Sequence, residues 1–573
     1  MITKTLLVLK FGSSVLRSTE DLPTAVHEIY RHVREGKRVV AVVSAFGNTT
    51  QELIEQANSF HQNPTPAVLA TLVSTGEQNA SAFLSLALSR AGIPNTLQLS
   101  PQCSLQTEGP LLDATPVAFD VEECLAQLEQ KPVVVLPGFV GRSQEGTVSL
   151  LGRGGSDLSA LFIAHQLKAN SCHLLKDVHG IYESDPATSE HPPRHFETLT
   201  WEEAEQLDAK VVQPKALAFA KTNKLSFVVT APGALLATRV GEQTAQPAST
   251  IKTRNNPVRV TILGLGTVGL GVYRLLANHP KKFQVVRIAI RDRSKHQHVD
   301  IPQSLLTTNP WEALHTPSDL VIEVMGGRKL ATRLINRALT TGRDVVTANK
   351  DVIAHHGPWL ERIAELSDTT LLYSASVGGV VPMIETIRRV ASKGTLQAFQ
   401  GVLNGTTNFI LSQLTRGDCF AEAVRKAQEE GFAEADPTAD LAGIDAANKL
   451  SILIRHAFNQ IFRPGEFECI GIEHLNKDII QQSESKGETI RLVATCTRTS
   501  SGVKAEVKPI RLPKDHPLAK TSGAENRLLI KEACGQTTLL QGQGAGRWPT
   551  AESVFADLQT LYHQRQHTQL ASA

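Results

Sequence analysis

Residues 258–269 read VRVTILGLGTVG: a short β-branched, apolar run, then glycines at 264, 266 and 269, with the helical stretch GLGVYRLLAN behind them. A strand that ends in GxGxxG and opens a helix brings backbone N–H groups and a helix amino end against a pyrophosphate. In that reading Gly264 permits the tight turn, Gly266 lets backbone approach the phosphates and Gly269 lets helix lie close on strand, with Thr267 and Val268 beside them. A tight strand-to-helix turn without a ligand would use the same glycines. Context favours the dinucleotide: the motif follows a polar stretch and is succeeded, after about 20 residues, by a second strand, FQVVRIAIRDRS (283–294). Arg291 and Arg293 stand where an NAD-selective site more often has a carboxylate, which favours a 2′-phosphate and NADP(H) over NAD(H). Asp292 between them is able to take a ribose hydroxyl itself, so both cofactors stay open.

Working outward, the chain of 573 residues is longer than the roughly 250–300 at which single cores stop growing. Short runs such as TLLVLKF, RVVAVVS, PVVVLPG, DLVIEVM and DVVTANK alternate with helical periodicity, predicting an α/β class with mostly parallel sheets. Residues 241–256, GEQTAQPASTIKTRNN, are polar and without apolar period, and are read as an interdomain linker; the polar tail 563–573 is read as frayed. The 58 Lys plus Arg against 56 Asp plus Glu give no field to draw nucleic acid or a membrane surface, leaving small-molecule partners. Seven cysteines (103, 124, 172, 419, 469, 496, 534) lack CxxC or metal-ligand spacing. With no apolar stretch of about 18 residues and no leader, they predict a reduced, cytoplasmic protein.

Beyond the glycine motif come EVMGG (323–327), DVVTANK (344–350) and SASVGGVVP (374–382), strand ends of the kind where open α/β sheets bind ligands. NGTTNFIL (404–411) and EADPTADLAGIDAANK (434–449) then bring polar groups into an apolar region. Asp445 and Lys449 are spaced i, i+4 and share a helix face; a surface ion pair is the plain reading, but the apolar helix that follows favours a cleft. These motifs, with GAENRLLI (523–530) and GAGRWPTAESVFADL (544–558), resemble homoserine dehydrogenase in order and spacing over about 258–565. The resemblance implies reduction of aspartate 4-semialdehyde to homoserine with a nicotinamide cofactor. It implies Lys449 as proton donor oriented by Asp445, Lys350 facing the reacting group, Glu434, Asp440, Gly405 and Thr406 at the substrate, and Gly326 and Lys350 at the cofactor. It further implies a monovalent cation, Na+ or K+, held by carbonyls of Val377, Gly379 and Val381. Ser374 stands where that family has a glutamate, which puts the cation in doubt.

In the first half, LLVLKFGSSVL (6–16) is a strand ending in a lysine and a small-residue turn, without a Walker sequence. Lys10 with the N–H groups of Gly12, Ser13 and Ser14, which can face an anion, is read as a phosphate cradle. GRGGSD (152–157) places glycines and Asp157 at a helix start, where the acid is alternatively a cap. These stretches, with VVSAFGNTT (42–50), STGEQNASAFL (74–84), PGFVG (137–141), LLKDVHGIYESDP (174–186) and DAKVVQPKA (208–216), resemble aspartate kinase of the amino-acid kinase superfamily over about 4–232. The resemblance implies Lys10 and Asp157 at phosphoryl transfer and Thr50 and Arg153 on the substrate. Gly12, Ser13, Lys176, Asp177, Tyr182, Lys210 and Val211 would lie around ATP with Mg2+. Three positions depart from that pattern: Ser13, Ala187 in place of a basic residue, and Thr115 near an expected substrate glutamate. Lys176 is offered as the compensating charge. A working aspartate kinase, an inactive kinase-like module and a kinase for another amino acid are the readings left open.

The expected architecture is a carbamate kinase-like three-layer sandwich (1–240), a linker (241–256), a Rossmann domain (257–380, completed by about 535–565) and an α+β catalytic and dimerisation domain (381–534), as a homo-oligomeric dimer or tetramer. No regulatory amino-acid-binding (ACT) domain is expected between the halves or after them. Threonine, lysine and methionine are therefore not expected to inhibit by that route, and cooperative threonine inhibition of the purified chain would contradict this.

Overall fold

The runs TLLVLKF, RVVAVVS and PVVVLPG are apolar on both faces, and they form adjacent interior strands. In the computed structural model, which describes residues 5–99, 105–185, 188–189, 193–207, 211–247, 256–434 and 436–571, Leu6–Phe11 pairs in parallel with Arg38–Val43 and Ser171–Leu175, and Arg38–Val43 with Val133–Pro137. Side chains 39–43 are fully buried, as strands covered by helices on both faces require. The chain divides into two compact units, Met1–Lys252 and Thr253–Ala573. Among the described residues the first unit has this nine-stranded sheet, edged by Asn95–Leu97 and Gln246–Pro247, and a separate four-stranded sheet built on Gln106–Glu108 and Val140–Arg142. The helix Gly155–Gln166 buries Leu158, Leu161, Phe162 and Ile163 in the sheet's core.

Residues 241–247 are not linker. Ala237–Gly241 runs antiparallel to Phe227–Thr230, and Gln246–Pro247 closes the edge antiparallel to Phe196–Thr200. Ladder pairing needs no apolar period, and an edge tolerates a proline. Residues 248–255 lie outside the described residues.

The second unit opens with six parallel strands in the spatial order Leu306–Thr307, Phe283–Ala289, Val258–Leu263, Leu320–Glu323, Asp344–Thr347, Leu371–Leu372. That is the doubly wound Rossmann order, and its switch point lies between Val258–Leu263 and Leu320–Glu323, where such sheets bind ligands. The other sheet departs from the parallel expectation. Glu488–Thr499 and Gly502–Pro513 form a long antiparallel hairpin, flanked by Leu396–Val402, Glu525–Glu532 and Thr537–Gln543. A hairpin needs no crossover helix, so the chain there loses the alternation that marks parallel sheets.

Two expectations for the carboxyl-terminal region are corrected. Thr537–Gln543 belongs to the antiparallel sheet, and only the helix Arg547–Ala571 returns to the Rossmann sheet, burying Ala551, Val554, Phe555 and Leu558 against Val260 and Ile262. Residues 563–571 of the polar tail continue this helix, and Arg565 pins it by donating to Asp344 Oδ2 at 2.8 Å and to the Asp319 carbonyl at 2.9 Å.

Candidate active sites

At the switch point the three motif glycines meet different demands. A Cβ on Gly264, at φ +104°, would lie 2.7 Å from the Val324 carbonyl oxygen, and one on Gly269 would lie 2.1 Å from that of Gly264. Gly266 is exposed and has nothing within 4 Å in that direction. It fronts the amino end of the helix Thr267–Ala277, with Thr267 exposed and Val268 half-buried in its first turn. Across the crevice Gly326 and Gly327, at φ +74° and +73°, also face open space. This uncrowded cradle fits a dinucleotide. Past the second strand, Arg293 donates to the Leu306 carbonyl at 2.9 Å, and the Asp292 carboxylate accepts from Ser294 N and Oγ at 2.9 and 2.7 Å. Arg291 is exposed.

Glu323 was not singled out by sequence reasoning. It is fully buried at a strand end and accepts from Thr347 Oγ1 at 2.7 Å, Met325 N at 2.9 Å and Asn349 Nδ2 at 3.4 Å; burial pushes its carboxyl up. Asn349 also donates to the Gly327 carbonyl at 2.7 Å and caps the helix Lys350–Leu366 through Val352 N. The cluster therefore ties the glycine turn to the helix that begins with Lys350.

From that helix, Lys350 Nζ comes 2.5 Å from Asp445 Oδ1, while Lys449 Nζ lies 2.8 Å from Oδ2. The helix Ile444–Phe458 sets Asp445 and Lys449 on one face, but the pair is not at the surface: the two are 5 % and 6 % exposed. Lys449 also donates to the Leu403 carbonyl at 2.6 Å. Burial alone would raise Asp445, yet Lys350 and Lys449 hold it well below the usual carboxylate range. Burial pushes Lys449 down against the pull of Asp445, whereas Asp445 raises Lys350. Asn404, another residue the sequence did not flag, bridges Asp445 Oδ2 at 2.8 Å and Asp440 Oδ1 at 2.6 Å.

The remaining expected residues divide. Asp440 is half-buried beside Asn404, and Glu434 is exposed. Gly405 opens the helix Gly405–Thr415 so close to Ala524 that a Cβ would sit 3.0 Å from its Cα. The Thr406 hydroxyl donates to the Phe432 carbonyl at 2.7 Å, which leaves its oxygen lone pairs as acceptors. Around 374–381, Val377 is buried, Gly379 sits at φ +57° and the Val381 carbonyl accepts Met383 N–H at 2.7 Å. Ser374 donates from N and Oγ to the buried Asp557 carboxylate at 3.0 and 2.9 Å. Asp557, delivered by the carboxyl-terminal helix, thus holds Ser374.

In the first unit Lys10 Nζ and Lys176 Nζ each lie 2.7 Å from one oxygen of Asp157. Asp157 is in the first turn of the helix Gly155–Gln166 and does not cap it. Burial would raise Asp157, but Lys10 and then Lys176 lower it; burial in turn lowers Lys10. A Cβ on Gly12 would lie 3.0 Å from Lys10 Nζ. Ser13, Arg153, Asp177 and Thr115 are exposed, Val211 is half-buried, and Tyr182 packs edge-on against His195 at 5.0 Å. Lys210 and Ala187 lie outside the described residues. Thr50 sits in the first turn of Thr49–Phe60 beside Glu77, a buried carboxyl that burial pushes up to about 7. Its only sequence signal was the polar STGEQ inside an otherwise apolar helix.

The family model described as homoserine dehydrogenase matches residues 382–559, and that of the homoserine dehydrogenase NAD binding domain matches 264–374. The homoserine dehydrogenase of Bacillus subtilis (strain 168) is 36 % identical over 312 residues, covering 52 % of this chain and 72 % of that protein. The chain belongs to the homoserine dehydrogenase family. The homoserine dehydrogenase of Corynebacterium glutamicum is 34 % identical over 322 residues, covering 54 % of this chain and 72 % of that protein. The crystal structure of a homoserine dehydrogenase from Thiobacillus denitrificans superposes with a TM-score of 0.52 at 34 % identity, covering 55 % of this chain and 74 % of that one. Residues 5–231 match the amino acid kinase family, so this homoserine dehydrogenase carries an amino-acid kinase domain ahead of its NAD-binding domain. Among the described residues no helix is long and apolar enough to cross a membrane.

Proposed function

We propose that the chain is a bifunctional enzyme that phosphorylates L-aspartate to 4-phospho-L-aspartate with ATP and reduces L-aspartate 4-semialdehyde to L-homoserine. The observation that carries the second activity is the buried Asp445–Lys449 pair met by the half-exposed Lys350, which begins the helix tied to the Gly326–Gly327 turn through Asn349. When bound, the nicotinamide supplies the hydride. The chain's own task is the developing alkoxide, which needs a positive charge and then a proton. Lys449 delivers the proton from Nζ, eased by the burial that lowers its pKa; Asp445 orients it, and Lys350 keeps Asp445 ionised. Asp440, beside Asn404, and the exposed Glu434 would receive the substrate's ammonium. The carbonyls of Val377, Gly379 and Val381, in the segment that begins with the Asp557-bound Ser374, would suit Na+ or K+.

NADP(H) is favoured over NAD(H) because Arg291 is exposed at the strand end while Asp292 is engaged by Ser294. Arg291→Ala should lower kcat/KM with NADPH about tenfold or more and leave NADH nearly unchanged, since an exposed charge-assisted contact to a phosphate contributes about 1.5 kcal/mol. Equal losses with both cofactors would remove Arg291 from the selectivity.

For the kinase, Asp157 clamped between Lys10 and Lys176 supports phosphoryl transfer, in which positioned cations and Mg2+ neutralise the phosphates. The test is aspartyl hydroxamate formation with ATP, Mg2+ and L-aspartate, using L-glutamate as control. Activity with aspartate is expected; none with either would leave a kinase-shaped module, and preference for glutamate would change the substrate. The free thiols of the described cysteines support a cytoplasmic enzyme, acting as a homo-oligomer.

A further inference from the structure

The helix Pro66–Ala91 runs 26 residues, and one side of it is committed to the first unit: Ala70, Val73, Gly76, Glu77, Ala80, Leu84 and Leu88 are buried. Positions 68, 72, 75, 79, 83 and 86 recur every three or four residues and so form a single stripe on the other side. Val68 is 63 % exposed, Phe83 40 % and Leu86 65 %, with Leu72 half-buried and Thr75 and Asn79 exposed. Phe60, at the end of the adjoining helix Thr49–Phe60 and hence at the Val68 end, is 93 % exposed. Between residues 66 and 89 the helix carries one charged side chain, Glu77, and it is buried. Solvated helix faces carry charges; an uncharged stripe, apolar at 68, 72, 83 and 86 and polar only at Thr75 and Asn79, has the composition of an interface core.

We propose that this stripe is a two-fold interface on which a second copy of the chain lays its own Pro66–Ala91 helix in antiparallel sense. The proposal rests on the homo-oligomer reading and names its surface. The stripe is close to symmetric about its middle: an axis near residue 77 sets Val68 against the partner subunit's Leu86, Leu72 against the partner's Phe83, and Thr75 against the partner's Asn79. Self-complementarity of this kind is what a two-fold contact demands and what an unrelated partner does not. The helix is roughly 39 Å long. With its neighbour it offers roughly 600 Å² in projection, on the scale of the ~800 Å² each partner contributes to a stable interface.

The test is the mass of the full chain in solution by sedimentation equilibrium. Phe83→Glu with Leu86→Glu should halve it, from dimer to monomer, or from tetramer to dimer if the dehydrogenase half also associates. Thr75→Cys with Asn79→Cys, a milder change that decides the matter if the glutamate variant misfolds, should give a dimer band under mild oxidation that reductant removes and that wild type lacks. A wild type that is monomeric would remove the homo-oligomer reading and this interface together. A wild-type oligomer with unchanged mass in the glutamate variant and no cross-link in the cysteine variant would overturn this interface alone.

Discussion

Lys449→Ala should lower the turnover of aldehyde reduction by about 10³-fold, within the range set by loss of a positioned general acid, while KM for the nicotinamide cofactor stays within about twofold. The residue lies in the Lys350–Asp445–Lys449 cluster, not among the glycines of the cradle. The variant should fold, because Asp445 keeps Lys350 at 2.5 Å and Asn404 at 2.8 Å and is not left as an unpaired buried charge. Lys449→Arg separates charge from proton delivery: it retains a cation that does not deprotonate and should be nearly as impaired. With Lys449 as the proposed proton donor, reduction in wild type should require its ammonium form. Its rate should therefore fall as pH rises through the Lys449 pKa, which burial sets below 10.5, and that limb should vanish in Lys449→Ala. Turnover within tenfold of wild type would exclude Lys449 from the chemistry.

Lys10→Ala should abolish kinase activity, by at least about 10³-fold if its charge stabilises the transferring phosphoryl group as such clamps do, with dehydrogenase turnover unchanged. The two units have separate cores, which is why one activity should be lost without the other. Removing one partner of a buried ion pair commonly costs about 3–5 kcal/mol because a charge is left uncompensated. Here Lys176 remains 2.7 Å from Asp157, so the loss should be smaller and the unit should stay folded. Hydroxamate formation that survives the substitution would place Lys10 outside the phosphate site; loss of both activities would mean that the units fold together.

The site was legible where a function imposes spacing. Asp445 and Lys449 one helical turn apart, and glycines at 264, 266 and 269, are local patterns, and the structure gives each a local reason. Asn404, Glu323 and Asp557 were not legible. Each acts across a distance in sequence: Asn404 reaches Asp440 and Asp445, Glu323 reaches Thr347, and Asp557 reaches Ser374. No periodicity records such a pairing. The same limit explains the edge strand Gln246–Pro247, which reads as linker because ladder hydrogen bonds use backbone and leave no side-chain signature.

By itself, then, the sequence determined the α/β class, the order of the amino-acid kinase, NAD-binding and homoserine dehydrogenase modules, and the spacing of Asp445 with Lys449 and of the three motif glycines, because strand and helix periods and glycine turns are short-range properties of the chain. Only the tertiary structure decided that two lysines from different segments clamp one aspartate in each half. Only it showed that the polar tail is a helix pinned by Arg565 and that a long antiparallel hairpin interrupts the parallel pattern. Burial, and with it the charge state of Lys449, Asp445, Lys10 and Asp157, is set by everything packed around a side chain, and no window of sequence contains that.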